Sequence, residues 1–325
     1  MNSEKINQQA EIFTNRLTKR YKHLRKWAKR EQINCFRLYD KDIPEIPLCV
    51  DIYTDIEDRK YAVVFLYERP YEKDESEEKL WLSIMEQSIV EVLDIPEENI
   101  FTKVRKRQRD GQYEKITRQE FIIVVEEFGS RFRINLASYL DSGLFFDHRP
   151  LRKMVKEQSA EKRVLNLFCY TGSFSVHAAN GGAKVVDSVD LSKTYLSWVA
   201  KNFELNSALA ETRHHIVNED VLSFLKKTDK TWDLIILDPP TFSNSKKTET
   251  VLDINRDYAD FIKLCLKRLS KNGILYFSTN SRTLKFDENL FNSQSITIQD
   301  ITNSTIPEDF RNTKVHRCWK ISYNS

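Results

Sequence analysis

The sequence predicts an α/β chain whose C-terminal part is a doubly wound, mostly parallel sheet, preceded by a small α+β unit and a basic helix. Three observations predict it. From about residue 140 onward, short apolar runs alternate with helical segments, the rhythm of a parallel sheet with helices on both faces. Before that point strand-like runs cluster around a single helix. The N-terminal stretch carries an amphipathic, lysine- and arginine-rich helical pattern that Pro44 and Pro47 end. The corresponding divisions are 1–45, 46–138 and 139–325.

Taken in order, residues 11–30 place Phe13, Leu17, Tyr21, Leu24 and Ala28 at spacings of three and four, with basic residues on the other faces. Strands at 48–53 and 61–67 precede an acidic turn near Asp74 and a helix over 78–93, whose stripe is Leu80, Trp81, Ile84, Met85, Ile89 and Val92. Strands at 100–104, 121–126 and 131–136 complete this unit, with a basic loop over 103–115. The alternating part runs strand 164–168, helix 174–180, strand 184–189, helix 193–206, strand 214–217, helix 222–227, strand 232–237, helix 255–269 and strand 273–277. Segments 295–301 and 316–322 close the chain as an antiparallel pair.

With 40% hydrophobic and 30% charged residues the chain is globular. No apolar run reaches the roughly 18 residues of a membrane span, and residues 1–10 lack the apolar core of a secretory signal. Cys35, Cys49, Cys169, Cys265 and Cys318 are scattered, without a Cys-x-x-Cys pair. This pattern suits free thiols in a reducing cytoplasm and argues against structural zinc. The net charge is only +3, but its distribution is uneven: nine basic residues face one acid between Arg16 and Arg37, and seven face two between Lys103 and Arg118. Such segments are either a footprint for a polyanion or a solvated helix face and a charged loop.

Ligands of doubly wound sheets sit at the carboxyl ends of strands, near the topological switch point. After the first strand stands Phe168-Cys169-Tyr170-Thr171-Gly172-Ser173, one glycine where a dinucleotide would need a glycine-rich phosphate cradle. S-adenosylmethionine carries no pyrophosphate, so one glycine suffices. After the second strand, Asp190 can accept both hydroxyls of an adenosine ribose or can simply cap the next helix. After the third, Asp220 has the same two readings, with the adenine amino group as ligand. The fourth strand runs into Asp238-Pro239-Pro240-Thr241-Phe242-Ser243-Asn244, where a carboxylate, a stiff turn that lacks two N–H donors, an aromatic ring and an amide stand together where a flat base could stack. The four strand ends together are far more specific than any one of them.

Asn166 through Ser173, Val189-Asp190-Leu191-Ser192 and Asp238 through Lys246 resemble the class I methyltransferases that act on large-subunit ribosomal RNA, as does Tyr139 through Arg149. The likeness is nearest to the C-terminal, guanine-N7 half of the bifunctional bacterial 23S rRNA enzymes. It extends through Phe13–Leu17, Lys26–Glu31 and Cys35–Asp40 to Trp319, nearly the whole chain. The resemblance implies a Rossmann-like, seven-stranded sheet, S-adenosylmethionine as methyl donor, large-subunit rRNA as substrate and no metal. It assigns Asp147, Arg149, Asn166, Phe168, Tyr170, Thr171, Gly172, Ser173, Asp190, Leu191, Ser192, Asp220, Val221 and Asp238 to the donor, and Asp238, Pro239, Pro240, Phe242 and Asn244 to the reacting base. It also turns the two basic segments towards RNA contact. The RNA-binding and guanine-N2 halves of fused relatives are absent, so one activity is expected, with a separate guanine-N2 methyltransferase as a candidate partner.

Guanine N7 presents a lone pair and needs no proton removed, which suits a sequence offering no obvious histidine or cysteine base at the site. Cytosine-C5 chemistry needs a nucleophilic thiol, which relatives place after the fifth strand; here that strand ends Phe277-Ser278-Thr279-Asn280-Ser281, and Cys169 and Cys318 are expected to be core thiols. Guanine-N2 methylation remains the main enzymatic alternative, although such enzymes usually carry an aromatic directly after the two prolines, where this chain has Thr241 before Phe242. The acids at 190, 220 and 238 argue against a catalytically silent RNA-binding assembly factor, and the missing glycines against a nicotinamide dehydrogenase. In the family segment His148 and Arg149 lie near the donor; for Arg149 two roles are expected, a bond to the donor carboxylate or an ion pair with Asp147 or Asp141. His177, His214, His215 and His316 receive no role.

Overall fold

The computed structural model describes residues 3–68, 74–105, 117–206, 213–243 and 251–324. The chain divides into two compact units, Met1–Phe146 and Asp147–Ser325.

In the first unit the basic pattern becomes α1 (Ser3–Glu31), followed by β1 (Cys35–Asp40), β2 (Leu48–Thr54), β3 (Lys60–Tyr67), α2 (Glu75–Leu93) and β4 (Ile100–Arg105). The sheet order is β1-β2-β3-β4, antiparallel through β3; β4 runs parallel to β3 because α2 makes the crossover. The helix at α1 is part of this unit's core and not a separate segment. Its Phe13, Leu17 and Leu24 share one buried cluster with Trp81, Met85 and Ile89 of α2 and with Val50, Ile52 and Val64 of the sheet. Trp81 reaches across to donate its indole N–H to Gln9 at 2.8 Å. Asp74 caps α2 by accepting from the N–H groups of Ser76 and Glu77. β1 was not expected: Arg37 interrupts its apolar residues, yet the guanidinium is satisfied on the sheet's second face by Asp51, at 2.8 and 3.0 Å. The same face carries Lys103, which donates to the carbonyl of Tyr139 at 2.6 Å, and Arg105, paired with Asp141 at 2.7 Å. These two cations of the second basic segment are therefore used internally, while residues 106–116 lie outside the described residues. The hairpin β5 (Ile122–Glu127) and β6 (Ser130–Asn135) turns through Phe128 and Gly129, both left-handed, as a two-residue turn requires.

The second unit runs α3 (Arg149–Gln158), β7 (Arg163–Leu167), α4 (Ser173–Asn180), β8 (Val185–Asp190), α5 (Lys193–Glu204), β9 (His214–Asn218), α6 (Val221–Lys227), β10 (Trp232–Leu237), β11 (Phe242–Ser243), β12 (Leu252–Asp253), α7 (Ile254–Arg268), β13 (Leu269–Thr279), β14 (Ile296–Asp300), α8 (Thr302–Thr305) and β15 (Arg317–Tyr323). Seven of these strands form one sheet ordered β14-β15-β13-β10-β7-β8-β9, parallel except for β15, which runs against both neighbours. β11 and β12 make a separate short ladder. Central β10 shows why an unbroken apolar run is needed: Leu234 and Ile236 pack with Leu151, Val155 and Phe174 under α3 and α4, while Ile235 and Leu237 pack with Tyr258, Phe261 and Ile262 of α7. α3 was not expected, because two of its inward residues are the arginines Arg149 and Arg152, which disguise the Leu151–Val155 stripe.

No helix among the described residues is long and apolar enough to cross a membrane. At the sheet's far end, buried Asp187 accepts from the Trp232 indole at 2.7 Å and pairs with His215 at 2.6 Å. Replacing the indole deprives a buried carboxylate of a donor, so Trp232→Phe is expected to cost about 1–3 kcal/mol in urea denaturation, although ring burial is largely kept.

Candidate active site

The sheet order reverses between β7 and β10: the chain builds outward through β8 and β9, then returns to the other side of β7. The carboxyl ends of these strands frame the crevice where ligands bind in such folds. The turn after β7 is strained there. Phe168, Tyr170 and Gly172 have φ of 55°, 50° and 80°, and only the last residue type adopts such values without penalty. Asp190 holds this turn: one carboxylate oxygen accepts from the Tyr170 N–H at 3.0 Å and the other from the Ser192 N–H at 2.8 Å. Burial pushes the Asp190 carboxyl above its ordinary pKa, against these hydrogen bonds. Asn202 of α5 ties the Thr171 carbonyl at 2.8 Å, and a Cβ at Gly172 would lie 2.9 Å from a Val199 methyl.

The residues expected at this end divide by exposure. Phe168, Tyr170, Ser173, Asp190, Leu191, Ser192 and Asp220 keep partly exposed surface. Phe168 packs edge-on against Phe261, and Tyr170 against Tyr195. Thr171, Asn166 and Val221 are buried, and Asn166 donates to Ser175 at 2.9 Å, supporting the turn from beneath. Ser192, not Asp190, caps α5, and Asp220 caps α6 by accepting from the Ser223 N–H at 2.9 Å. A strained turn with a carboxylate, partly open aromatic rings and a lone glycine, without a phosphate cradle, fits S-adenosylmethionine better than a dinucleotide.

The end of β10 holds what the sequence did not reveal. His148, buried at the start of α3, aims Nε2 at Ser278 Oγ of β13 (2.8 Å) and at Asp238 Oδ1 (3.4 Å). Its Nδ1 lies 3.2 Å from Asp147 Oδ2, and the same oxygen lies 3.2 Å from Nδ1 of His316. The two imidazoles stack at 4.5 Å, and His316 Nε2 meets the Thr305 hydroxyl at 2.9 Å. Burial would lower the pKa of His148, but Asp238 and Asp147 outweigh it and lift the value to about 10. Burial would likewise raise both carboxyls, yet His148 holds Asp147 well below the ordinary carboxylate range and brings Asp238 below it. Burial, together with the charge on His148, depresses His316, which stays neutral at pH 7. His148 was expected near the methyl donor and His316 was given no role; the structure brings both rings to the end of β10. The adjacent pair Asp147-His148 was a local signal; His316 had none, since 169 residues separate it from its partner Asp147.

Thr241 hydrogen-bonds Asn280 at the end of β13, and its carbonyl accepts from the Ile254 N–H at 3.1 Å. This anchors the Pro239-Pro240 turn and leaves Phe242 57% exposed. Asn244 lies outside the described residues. The guanidinium of Arg149 is buried and donates to the equally buried Asp309 at 2.9 Å, a partner that was not expected. Cys169 and Cys318 are buried, and burial pushes both thiols well above the usual range, which suits core thiols and not nucleophiles.

Residues 105–295 match the family model described as S-adenosylmethionine-dependent methyltransferase. Ribosomal RNA large subunit methyltransferase K of Neisseria meningitidis serogroup B is 46% identical over 318 residues, 96% of this chain and 87% of that protein. Ribosomal RNA large subunit methyltransferase K/L of Magnetococcus marinus is 42% identical over 315 residues, and the chain spans only 43% of its length. Among solved structures, a methyltransferase complexed with SAH aligns at a TM-score of 0.73 and 24% identity, covering 96% of this chain and 81% of that one. An S-adenosylmethionine-dependent methyltransferase of Streptococcus mutans aligns at 0.72 and 23%, with the same coverage. At such identities the two structures speak for the fold.

Gly172 is the turn's most sensitive position. Gly172→Ala adds a left-handed non-glycine residue, costing about 1–2 kcal/mol, and presses on Val199. Calorimetry is expected to show weakened S-adenosylmethionine binding and thermal melts a lower midpoint, whereas Ala substituted at exposed Ser197 should change neither.

Proposed function

Because the chain belongs to the S-adenosylmethionine-dependent methyltransferases, and within them to the family of ribosomal RNA large subunit methyltransferase K, we propose that it methylates N7 of a guanine in 23S rRNA. Bound S-adenosylmethionine supplies an electrophilic methyl group, which guanine N7 can accept with its own lone pair, losing no proton and leaving the base positively charged.

The charge of the cluster around Asp238 supports the choice of N7. A reaction at the exocyclic N2 must dispose of a proton, for which the Asp238 carboxylate and not the imidazoles would have to serve. Here His148 keeps its proton to about pH 10, and neutral His316 is engaged by Asp147 and Thr305. With Asp147 and Asp238 ionised, the cluster has one negative charge in excess. A surplus of fixed negative charge favours a base that becomes cationic as it reacts. Pro239 and Pro240 stiffen the platform, and exposed Phe242 offers a ring for a base splayed from the RNA. On the donor side we assign Phe168, Tyr170 and Asp190 to the nucleoside and the uncommitted face of Asp220 to the adenine. Asp147 acts from the histidine cluster.

RNA binding we assign to the first unit. On α1, Lys19, Lys22, Lys26 and Lys29 are exposed at spacings of three and four, one stripe about 15 Å long at 1.5 Å per residue. Arg16 and Arg20 face inward, to Asp42 and to the Leu38 carbonyl, and are not counted in it.

Mass spectrometry of 23S rRNA nucleosides, with the gene deleted and then restored, tests the reaction. Loss and recovery of 7-methylguanosine are expected; an unchanged level with loss of N2-methylguanosine would move the target to the amine. Asp238→Asn should lower kcat by about 100-fold. Exchanging the four lysines of the stripe for Gln should weaken RNA binding and flatten its salt dependence by about 2–3 in log–log slope, with S-adenosylmethionine affinity unchanged.

A further inference from the structure

We infer that His148 is a positioning residue, clamped between Asp147 and Asp238 so that it fixes the Asp238 carboxylate at the end of β10 as a charged acceptor facing the target base. The inference rests on the reading that this strand end receives the base. Its geometrical part concerns only the chain's own atoms.

Four segments converge on one ring. His148 comes from the start of α3, Asp238 from the end of β10, Ser278 from β13, and His316 from just before β15. The ring is buried, stacked on His316 on one side and met edge-on by Phe174 of α4 at 6.0 Å. Held in this way, it cannot turn its nitrogens elsewhere. Nδ1 faces Asp147, and Nε2 faces Asp238 and Ser278. A neutral imidazole donates from one nitrogen only, so it could serve one carboxylate and would turn a lone pair on the other. The imidazolium presents its charge to both, as ion pairs at 3.2 Å to Asp147 and 3.4 Å to Asp238, while its hydrogen bond goes from Nε2 to Ser278.

The other charged or titratable neighbours do not compete for that role. Arg149, next in sequence, is bound to Asp309; His316 is neutral; and the Cys318 thiol, opposite Ser278 in register, keeps its proton. Asp238 differs from its partner in exposure, with 28% of its side chain accessible against 9% for His148. The histidine lies behind the carboxylate and acts through it, without touching the base.

His148→Gln keeps a donor in a similar place and removes the charge. The expected result is a kcat lower by about 10- to 100-fold, the range for a misplaced catalytic group, with the S-adenosylmethionine Kd by calorimetry changed by less than about twofold. The acid limb of kcat/KM should also move to higher pH. Asp238 is ionised above a depressed pKa in the native protein, and without the imidazolium that pKa rises. A merely structural loss would lower activity without moving the limb, and would overturn the inference, as would an unchanged kcat. Should the variant fail to fold, 15N NMR of histidine in the donor-free native protein decides. An imidazole still protonated at pH 8, and neutral there in Asp238→Asn, supports the inference, and a neutral ring in the native protein overturns it. The NMR result is independent of which guanine atom is methylated, so a loss of N2-methylguanosine in the deletion strain would defeat the N7 reading alone.

Discussion

Two carboxylates that approach each other inside a protein cannot both stay ionised unless a cation lies between them. In this chain the cation is His148, which faces Asp147 and Asp238 from opposite nitrogens. Around it the second unit is tied together, because the ring belongs to α3, the carboxylate to β10, the hydroxyl to β13 and the stacked imidazole to the approach to β15. Removing one member of such a buried set leaves another uncompensated, which generally costs more than the intact set contributes. The buried pair Arg149–Asp309, one residue further along α3, extends the same constraint to the segment before β15.

The turn after β7 is tuned differently. Backbone strain at Phe168 and Tyr170 is sustained by hydrogen bonds from the peptide chain to Asp190, which is held partly buried and above its ordinary pKa. A carboxylate in that state, with lone pairs left over after its two peptide N–H partners, gains from further donors such as ribose hydroxyls. The two halves of the crevice are thus tuned in opposite directions, Asp190 upward by desolvation and Asp238 downward by a neighbouring charge.

The sheet of the second unit was legible through the alternation of short apolar stretches with helical segments, clearest at β10, and reading the residues that follow each strand located Asp190, Asp220 and Asp238. Two elements that escaped have charged inward positions: β1 has Arg37, bound to Asp51, and α3 has Arg149, bound to Asp309, partners too distant in sequence to be anticipated. His316 escaped for the same reason. Local spacing carries periodicity and capping, but nothing local announces that residues 148, 238 and 316 meet. Charge counting does not separate the paired cations: Arg16, Arg37, Lys103 and Arg105 each have a partner within the first unit.

The place of β15 fixes an order in time. Although it is the last strand of the described chain, it lies inside the sheet, between β13 and β14, and His316 directly precedes it. Contacts such as His316–Asp147 and Asp309–Arg149 close loops of 169 and 160 residues, so their loop-closure entropy is met late in folding. During synthesis the first unit, contiguous through Phe146, has all its strands before most of the second has been made. The lysine stripe on α1 would therefore be in place while β13 still lacked its neighbour and His148 its stacking partner. The histidine cluster is completed only when the last described strand has been laid beside β13.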